Sequence, residues 1–300
     1  MLPQPVRNLD FKRFVSSSRY PFIAIDPVAV SIGPLDVHWY GIMYLLGFLF
    51  FWAAGSWIAR NREWWGWSPQ AVGDMLFYGM LGVVIGGRLG YVFFYGLESL
   101  LADPMFLVRI TDGGMSFHGG LVGVMAAMWW FGRSSGRDFW QVADFVAPLA
   151  PVGLALGRVG NFIGGELWGR ISDVPWAMVF ANAVQPQGWQ SAELRAAWAA
   201  GALDHLARHP SQLYQAFGEG LALFVVLAVY SRRPRPKAAV SGLFLVGYGA
   251  FRTVAEFFRE PDVHIGFVGG QWLTMGMLLS IPMVLAGIII MLIAYRARKD

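Results

Sequence analysis

The chain has 300 residues, of which 56% are hydrophobic and 14% are charged, and its mean hydropathy is +0.48. These values exceed those of an ordinary soluble domain and predict an integral membrane protein with several spans. The formal charge of +4 is small and unevenly placed, which makes it a topology signal and argues against a nucleic-acid partner. Because the chain has no cysteine, disulfides, thiolate metal sites and a cysteine nucleophile of its own are excluded.

The elements predicted along the chain begin with a polar to mixed N-terminal arm, residues 1–37, which lacks the features of a cleaved signal peptide. Apolar stretches then predict about seven transmembrane helices, and we expect an all-α polytopic fold because lipid offers backbone groups no other partner. The predicted helices cover residues 38–59, 71–97, 116–132, 139–164, 211–230, 241–258 and 271–295.

One sizeable polar segment, residues 165–209, separates the fourth and fifth predicted spans. It is rich in Trp and Pro at first and helix-like from Ser191 to about Arg208, which predicts a small periplasmic head. The chain therefore divides into the arm (1–37), helices one to four (38–164), the head (165–209) and helices five to seven with the C-terminal tail (210–300).

Basic residues predict the orientation of the spans. Short loops on one side carry closely spaced basic residues, which is typical of the cytoplasmic face, whereas the basic residues of the other side are spread over longer connections. We therefore expect a periplasmic N-terminus and a cytoplasmic C-terminus. The predicted cytoplasmic residues are Arg60, Arg62, Arg133, Arg137, Arg232, Arg233, Arg235, Lys237, Arg296, Arg298 and Lys299.

The sixth predicted span carries a polar stripe, since Tyr248, Arg252 and Glu256 recur every four residues and share one helical face. Charged groups are costly in hydrocarbon, so this face is expected to point into the protein. An Arg252–Glu256 pair that only orients helices is an equally good reading of the pair by itself. Two further arginines in the outer halves of spans, Arg88 and Arg158, favour a functional site.

The most informative run is Gly157–Arg170, which starts inside the fourth predicted span. Arg158 and Asn161 share a face and are able to offer a guanidinium fork and an amide to phosphate oxygens. An interhelical hydrogen bond is an equally good reading of Asn161. The run also repeats a pattern of the second span, because Gly87-Arg88-Leu89-Gly90 resembles Gly157-Arg158-Val159-Gly160, although such coincidences are expected in a chain rich in glycine.

A glycine-rich loop, residues 111–120, leads into the third predicted span and contains His118. Its backbone N–H groups and the imidazole are able to meet an anion or a thiol. The other histidines are interpreted as structural, with His209 predicted to cap the fifth helix. No His/Asp/Glu spacing indicates a metal site, and we expect no cofactor.

These polar residues and Tyr40, at the start of the first span, fall at a similar predicted depth, which indicates one cavity opening toward the outer leaflet. A transporter with buried arginines for an anionic substrate is the alternative, although polar residues toward the cytoplasmic face would then be expected. An intramembrane serine protease using Ser116 and His118 is a second alternative, with poor support from a spacing of two residues in a loop.

Five stretches of the chain form a recognisable pattern, namely residues 37–44, 113–121, 157–170, 209–214 and 247–252, together with Glu256. In this pattern the chain resembles the bacterial prolipoprotein diacylglyceryl transferases over nearly all its length. One difference from the family pattern is Gly164, where the family usually has asparagine.

The resemblance implies a seven-span enzyme of the bacterial inner membrane. Such an enzyme moves the diacylglyceryl unit of phosphatidylglycerol onto the lipobox cysteine of a prolipoprotein signal peptide and releases glycerol 1-phosphate. The expected catalytic residues are His118, Arg158, Tyr248 and Arg252. His118 is the candidate base, and the two arginines are expected to stabilise the charge on the phosphate. The expected substrate-binding residues are Tyr40, Arg88, Asn161, Glu166, Gly169 and Glu256.

Overall fold

The computed structural model describes residues 17–109, 113–261, 266–270 and 272–297. Residues 1–16 of the N-terminal arm, the loop residues 110–112, and Arg298 and Lys299 of the basic tail lie outside these ranges. Within them the chain is mostly helical, as expected.

Twelve α-helices are formed by the described residues. They are α1 (Trp39–Asn61), α2 (Pro69–Tyr95), α3 (Leu97–Ala102), α4 (Phe117–Ser134), α5 (Phe139–Val146), α6 (Ala150–Ile163), α7 (Ala181–Val184), α8 (Ala192–Ala199), α9 (Ser211–Gln215), α10 (Leu223–Tyr230), α11 (Ala239–Glu256) and α12 (Met275–Arg296). A π-helical segment, Ala216–Ala222, joins α9 to α10 without a break.

Six of the predicted helical segments coincide with observed helices to within four residues at each end. The fourth does not, because residues 139–164 form two helices, α5 and α6, separated by residues 147–149. Pro148 explains the break, since proline has no N–H to donate and disfavours the helical conformation of the residue before it.

Four of the helical segments are long and apolar enough to cross a membrane: α1, α2, Ser211–Tyr230 and α12. A fifth span is formed if α5 and α6 are counted as one broken segment. The described residues therefore establish a helical protein with four or five candidate spans.

Three two-stranded sheets were missed by the all-α prediction. Their strands have two to five residues, which is too short for an alternating pattern to stand out in the sequence. The pairs are parallel β1 (Phe22–Ile23) with β4 (Val179–Phe180), antiparallel β2 (Val28–Ile32) with β3 (Leu35–His38), and antiparallel β5 (Phe267–Gly269) with β6 (Leu273–Thr274).

The chain divides into two compact units. The first comprises Met1–Leu45, Leu154–Ala222 and Tyr248–Pro282, and the second comprises Leu46–Gly153, Leu223–Gly247 and Met283–Asp300. The domains predicted from the sequence follow the order of spans along the chain, and they stay a prediction.

The second unit has an aromatic core in which Trp67 stacks on Phe145, with ring centroids 4.0 Å apart. Its helices α2 and α4 pack through glycines. A Cβ at Gly86 would collide with the carbonyl oxygen of Gly119, and one at Gly123 would collide with that of Gly82. Only glycine therefore allows this backbone contact.

The first unit contains a smaller core, in which Tyr20 of the predicted arm packs with Val179 and Ala197 of the predicted head. The helix predicted there from Ser191 to about Arg208 is wrong beyond Ala199. Ser191 caps α8 by accepting a hydrogen bond from the Leu194 N–H, and the helix ends before Gly201, whose φ of +72° is incompatible with a right-handed helix.

Candidate active site

A buried carboxylate in the first unit, Glu219, lies between two of the predicted arginines. Its Oε2 is 3.7 Å from Nη2 of Arg158, and its Oε1 is 3.7 Å from Nη1 of Arg252. The Glu219 side chain is only 1% exposed. Sequence reasoning missed this residue and assigned Glu256 as the sole acid of the cluster.

The local sequence explains how Glu219 reaches this position. It belongs to the π-helical segment and is flanked by Gly218 and Gly220. A Cβ at Gly220 would collide with Ala155 of α6, and one at Gly218 would lie 3.1 Å from the Phe251 ring of α11. These glycines let the helices that carry Arg158 and Arg252 approach on either side of the carboxylate.

The Arg252 side of the cluster is tightly bonded. Arg252 Nη2 lies 2.5 Å from Glu256 Oε1, and its Nη1 donates to Gln215 Oε1 at 2.9 Å. Glu256 also accepts from Arg259 Nη1 at 3.2 Å and from the Thr274 hydroxyl at 2.6 Å. These bonds fix the Arg252 guanidinium before any substrate binds.

The Arg158 side is looser. The 3.7 Å separation from Glu219 is an ion pair but exceeds the length of a hydrogen bond. The Arg158 side chain also interacts with the Tyr248 side chain, and it is 21% exposed. Arg158 is therefore better suited than Arg252 to donate hydrogen bonds to an incoming anion.

Cations outnumber anions among the described ion pairs of this cluster. Three guanidiniums, of Arg158, Arg252 and Arg259, face two carboxylates, of Glu219 and Glu256. Such an excess of guanidinium donors suits an anionic ligand. The structure thus places Arg158 in one cluster with Tyr248, Arg252 and Glu256.

Tyr40 of α1 and Asn161 of α6 lie near the C-terminal end of α6, the helix that carries Arg158. The Tyr40 ring packs on Gly160, where a Cβ would be 2.8 Å from Tyr40 Cδ2. Tyr40 is 42% exposed, whereas Asn161 is buried and accepts a hydrogen bond from the Glu166 N–H through its backbone carbonyl.

A sharp turn after α6 carries Glu166 and Gly169. The turn is held by the Gln212 side chain, which donates to the Glu166 carbonyl at 2.6 Å. A Cβ at Gly169 would lie 2.5 Å from the Phe258 carbonyl oxygen and 2.6 Å from that of His209, so only glycine fits between these two chain segments. The turn lines a cavity of about 380 Å³.

Asn182 and Glu166 both line this cavity. The Asn182 amide donates to the Gly164 carbonyl at 2.8 Å. A Cβ at Gly164 would lie 2.9 Å from Glu166 Oε1, so glycine leaves room for the carboxylate in its present position. The one departure from the family pattern is thus accommodated beside Glu166.

Arg170 and His209 make contacts that the sequence did not predict. Arg170 donates to the carbonyls of Arg259 at 3.0 Å and Glu256 at 3.3 Å. His209 does not cap α9, the start of the fifth predicted span, because the N-cap of α9 is Pro210. Its Nδ1 instead lies 3.1 Å from the Tyr214 hydroxyl, and burial lowers the pKa of the imidazole.

The second unit contains the remaining two predicted residues, Arg88 and His118. The Arg88 guanidinium donates to four backbone carbonyls, those of Leu107, Gly113, Gly114 and Phe106. These contacts give Arg88 a structural task, and its contact with substrate stays a prediction.

His118 is exposed and is the second residue of α4. Ser116 caps this helix by accepting a hydrogen bond from the Gly119 N–H at 3.2 Å. The hydroxyl that a serine protease would use as its nucleophile is thus engaged in a helix cap.

Comparison with known proteins decides the family. The profile of the family described as prolipoprotein diacylglyceryl transferase matches residues 27–293. The chain belongs to the prolipoprotein diacylglyceryl transferase family. Three relatives bear the name phosphatidylglycerol–prolipoprotein diacylglyceryl transferase. The protein from Photorhabdus laumondii is 51% identical over 94% of this chain and 97% of its own, that from Pseudomonas paraeruginosa 50% over 91% and 94%, and that from Pseudomonas syringae 48% over 92% and 96%.

Within this family framework, Glu219 is the main residue that sequence reasoning missed. A signal was present, because Gln212, Gln215 and Glu219 interrupt an otherwise apolar span at intervals of three and four residues. That spacing places three polar side chains on one face, and all three are buried.

Proposed function

We propose that this chain is a bacterial inner-membrane transferase that moves the diacylglyceryl group of phosphatidylglycerol to the lipobox cysteine of a prolipoprotein. Membership of the family and about 50% identity to transferases of that name support the activity. The carrying structural observation is the pair of arginines beside Glu219, in a cluster whose described ion pairs contain three guanidiniums and two carboxylates.

The topology that we propose has seven spans and a periplasmic head at residues 165–209. It counts α5 and α6 as one broken span, adds α4 and α11 to the five apolar spans that result, and places the N-terminus in the periplasm and the C-terminus in the cytoplasm. The support is the spacing of basic residues in short loops and the agreement of six helical segments with the predicted spans.

The reaction is a displacement at carbon. The cysteine thiolate attacks the glycerol carbon that bears the phosphate, a C–S thioether bond forms, and the C–O bond breaks. Its electron pair leaves with glycerol 1-phosphate. The phosphate gains negative charge as the bond breaks, so fixed guanidiniums stabilise the transition state more than the phosphodiester.

Residue roles follow from this chemistry. Arg158 donates to the phosphate, Arg252 is held ready by Glu256 and Gln215, and Tyr248 supports Arg158. A free thiol has a pKa of about 8.5, so a base must favour the thiolate, and His118 is the candidate. Tyr40, Asn161, Glu166 and Gly169 form the walls around the lipid, with Glu166 able to accept from the glycerol hydroxyls.

The test is direct. Purified protein is incubated with vesicles of phosphatidylglycerol and a lipobox peptide, and the peptide mass is measured. We expect the mass to increase by one diacylglyceryl unit, and a Cys→Ser peptide to remain unmodified. An unmodified cysteine peptide, or equal modification of the serine peptide, would refute the proposal.

A further inference from the structure

We propose that Glu219 is a positioning residue for the transfer reaction, which holds Arg158 and Arg252 as a pair while leaving guanidinium N–H donors available to the lipid phosphate. This inference rests on the proposed function. It assigns a role to a buried acid that the chemistry described above does not use.

The first observation concerns the contacts that the Glu219 carboxylate makes with the two arginines. Glu219 lies 3.7 Å from both guanidiniums, yet neither of its oxygens has a hydrogen-bond partner among the described residues. Charged hydrogen bonds between nitrogen and carboxylate are usually about 2.7–2.9 Å long. A buried carboxylate without them is costly and calls for an explanation.

Glu256 shows what a charge-neutralising acid looks like in the same cluster. It contacts Arg252 at 2.5 Å, and it also bonds to Arg259 and Thr274. Glu219 is instead kept back by its backbone, since the π-helical segment is wedged against α6 and α11 through Gly220 and Gly218. The fold thus holds its carboxylate close enough to attract the arginines and too far away to occupy their donors.

This arrangement has a consequence for turnover. Removal of the Glu219 carboxylate would make the charge of the cluster more positive by one unit. Extra positive charge would hold both the phosphodiester and the released glycerol phosphate more tightly. Loss of the carboxylate would also free Arg158 to leave the geometry that the transition state requires. We therefore expect Glu219 to act on kcat more than on the affinity for lipid.

The principal experiment measures kcat and KM for phosphatidylglycerol in Glu219→Gln, which keeps the size of the side chain and removes its charge. We expect kcat to fall at least about tenfold, with KM unchanged or lower. Wild-type kcat and KM would overturn the proposal. A raised KM with normal kcat would also overturn it, because Glu219 would then contribute only to lipid binding.

A charge relocation provides the matched control. Gln215 is one turn earlier on the same face, and its Oε1 lies 2.9 Å from Arg252 Nη1. The double variant Glu219→Gln, Gln215→Glu restores the net charge but places it beside Arg252. We expect kcat to stay low, whereas recovery to the wild-type value would show that net charge alone matters.

Thermal unfolding in detergent shows whether Glu219→Gln folds. If it does not fold, a third variant tests the proposal. Glu219→Asp keeps the charge and withdraws the carboxylate by one methylene, so we expect a lower kcat at unchanged KM, and wild-type kinetics would overturn the proposal. Wild-type protein is assayed in parallel. Absence of adduct with the wild type would refute the proposed function, whereas equal rates in wild type and variants would refute only the role of Glu219.

Discussion

Two arginines in matching tetrapeptides, Gly87-Arg88-Leu89-Gly90 and Gly157-Arg158-Val159-Gly160, meet different surroundings. Arg88 is 3% exposed, and its donors meet the neutral carbonyl oxygens of one loop. Arg158 faces a carboxylate beyond hydrogen-bond length and the Tyr248 side chain. A buried arginine whose donors all meet backbone carbonyls holds a loop in place. An arginine whose carboxylate partner is 3.7 Å away keeps donors for an anion.

The glycines of the two runs differ in the same way. In the first run Gly90 lies against the backbone of α4, where a Cβ would be 2.7 Å from the Gly119 Cα. In the second run Gly157 faces open space among the described residues, and Gly160 admits the Tyr40 ring. The first run therefore packs helix on helix, and the second surrounds a site.

The largest effect is expected for Arg158→Lys. A lysine keeps the charge but cannot reproduce a bidentate fork, so we expect the initial rate of transfer to fall at least about 100-fold. The rate is measured with phosphatidylglycerol and the lipobox peptide, and thermal unfolding is followed as a control. A rate close to that of the wild type would argue against phosphate binding by Arg158.

Arg88→Met is expected to lower the stability of the protein more than its rate of transfer. Four partly buried carbonyl oxygens would lose their donor, and each of them that water does not reach costs about 1–3 kcal/mol. The thermal midpoint is expected to fall clearly, while the rate per folded molecule changes less than in Arg158→Lys. A stable Arg88→Met protein without activity would show that Arg88 contacts the substrate, as the sequence first indicated.

A pair of glycine substitutions sharpens the packing side of the comparison. Gly123→Ala would push a methyl group into the Gly82 backbone, which we expect to cost about 1–3 kcal/mol of stability. Gly157→Ala has room for its methyl group, so its stability should change by no more than about 0.5–1 kcal/mol, in the favourable direction. Chemical unfolding in mild detergent measures both, and equal losses would remove the distinction.

The prediction for His118 concerns the shape of the pH–rate profile. If its imidazole accepts the thiol proton, His118→Gln should shift or abolish the pH dependence of the transfer rate. An unchanged pH–rate profile would leave His118 with a structural role at the start of α4.

The sequence predicted helices better than it predicted their interruptions. Long apolar stretches placed six helical segments to within four residues, because the length of a span is set by the bilayer. The break before α6 was visible in principle from Pro148. The π-helical segment was not, since it depends on how Gly218 and Gly220 pack against neighbouring helices.

The site was predicted in part for the same reason. Regular spacing placed Tyr248, Arg252 and Glu256 on one face, whereas the contacts of Tyr248 with Arg158 and of Arg252 with Glu219 followed only from tertiary structure. The difference between Arg88 and Arg158 was also hidden, because identical flanking glycines say nothing about which acceptors a guanidinium will meet.

The central claim is that the Arg158 guanidinium receives the phosphate of the lipid, and phosphorus NMR tests it most directly. Glycerol phosphate is titrated with wild-type protein, Arg158→Lys and Arg88→Lys in the same detergent. We predict a chemical-shift change that saturates with wild type and with folded Arg88→Lys and is much weaker with Arg158→Lys. An equal change with Arg158→Lys, or its loss only with Arg88→Lys, would contradict the account.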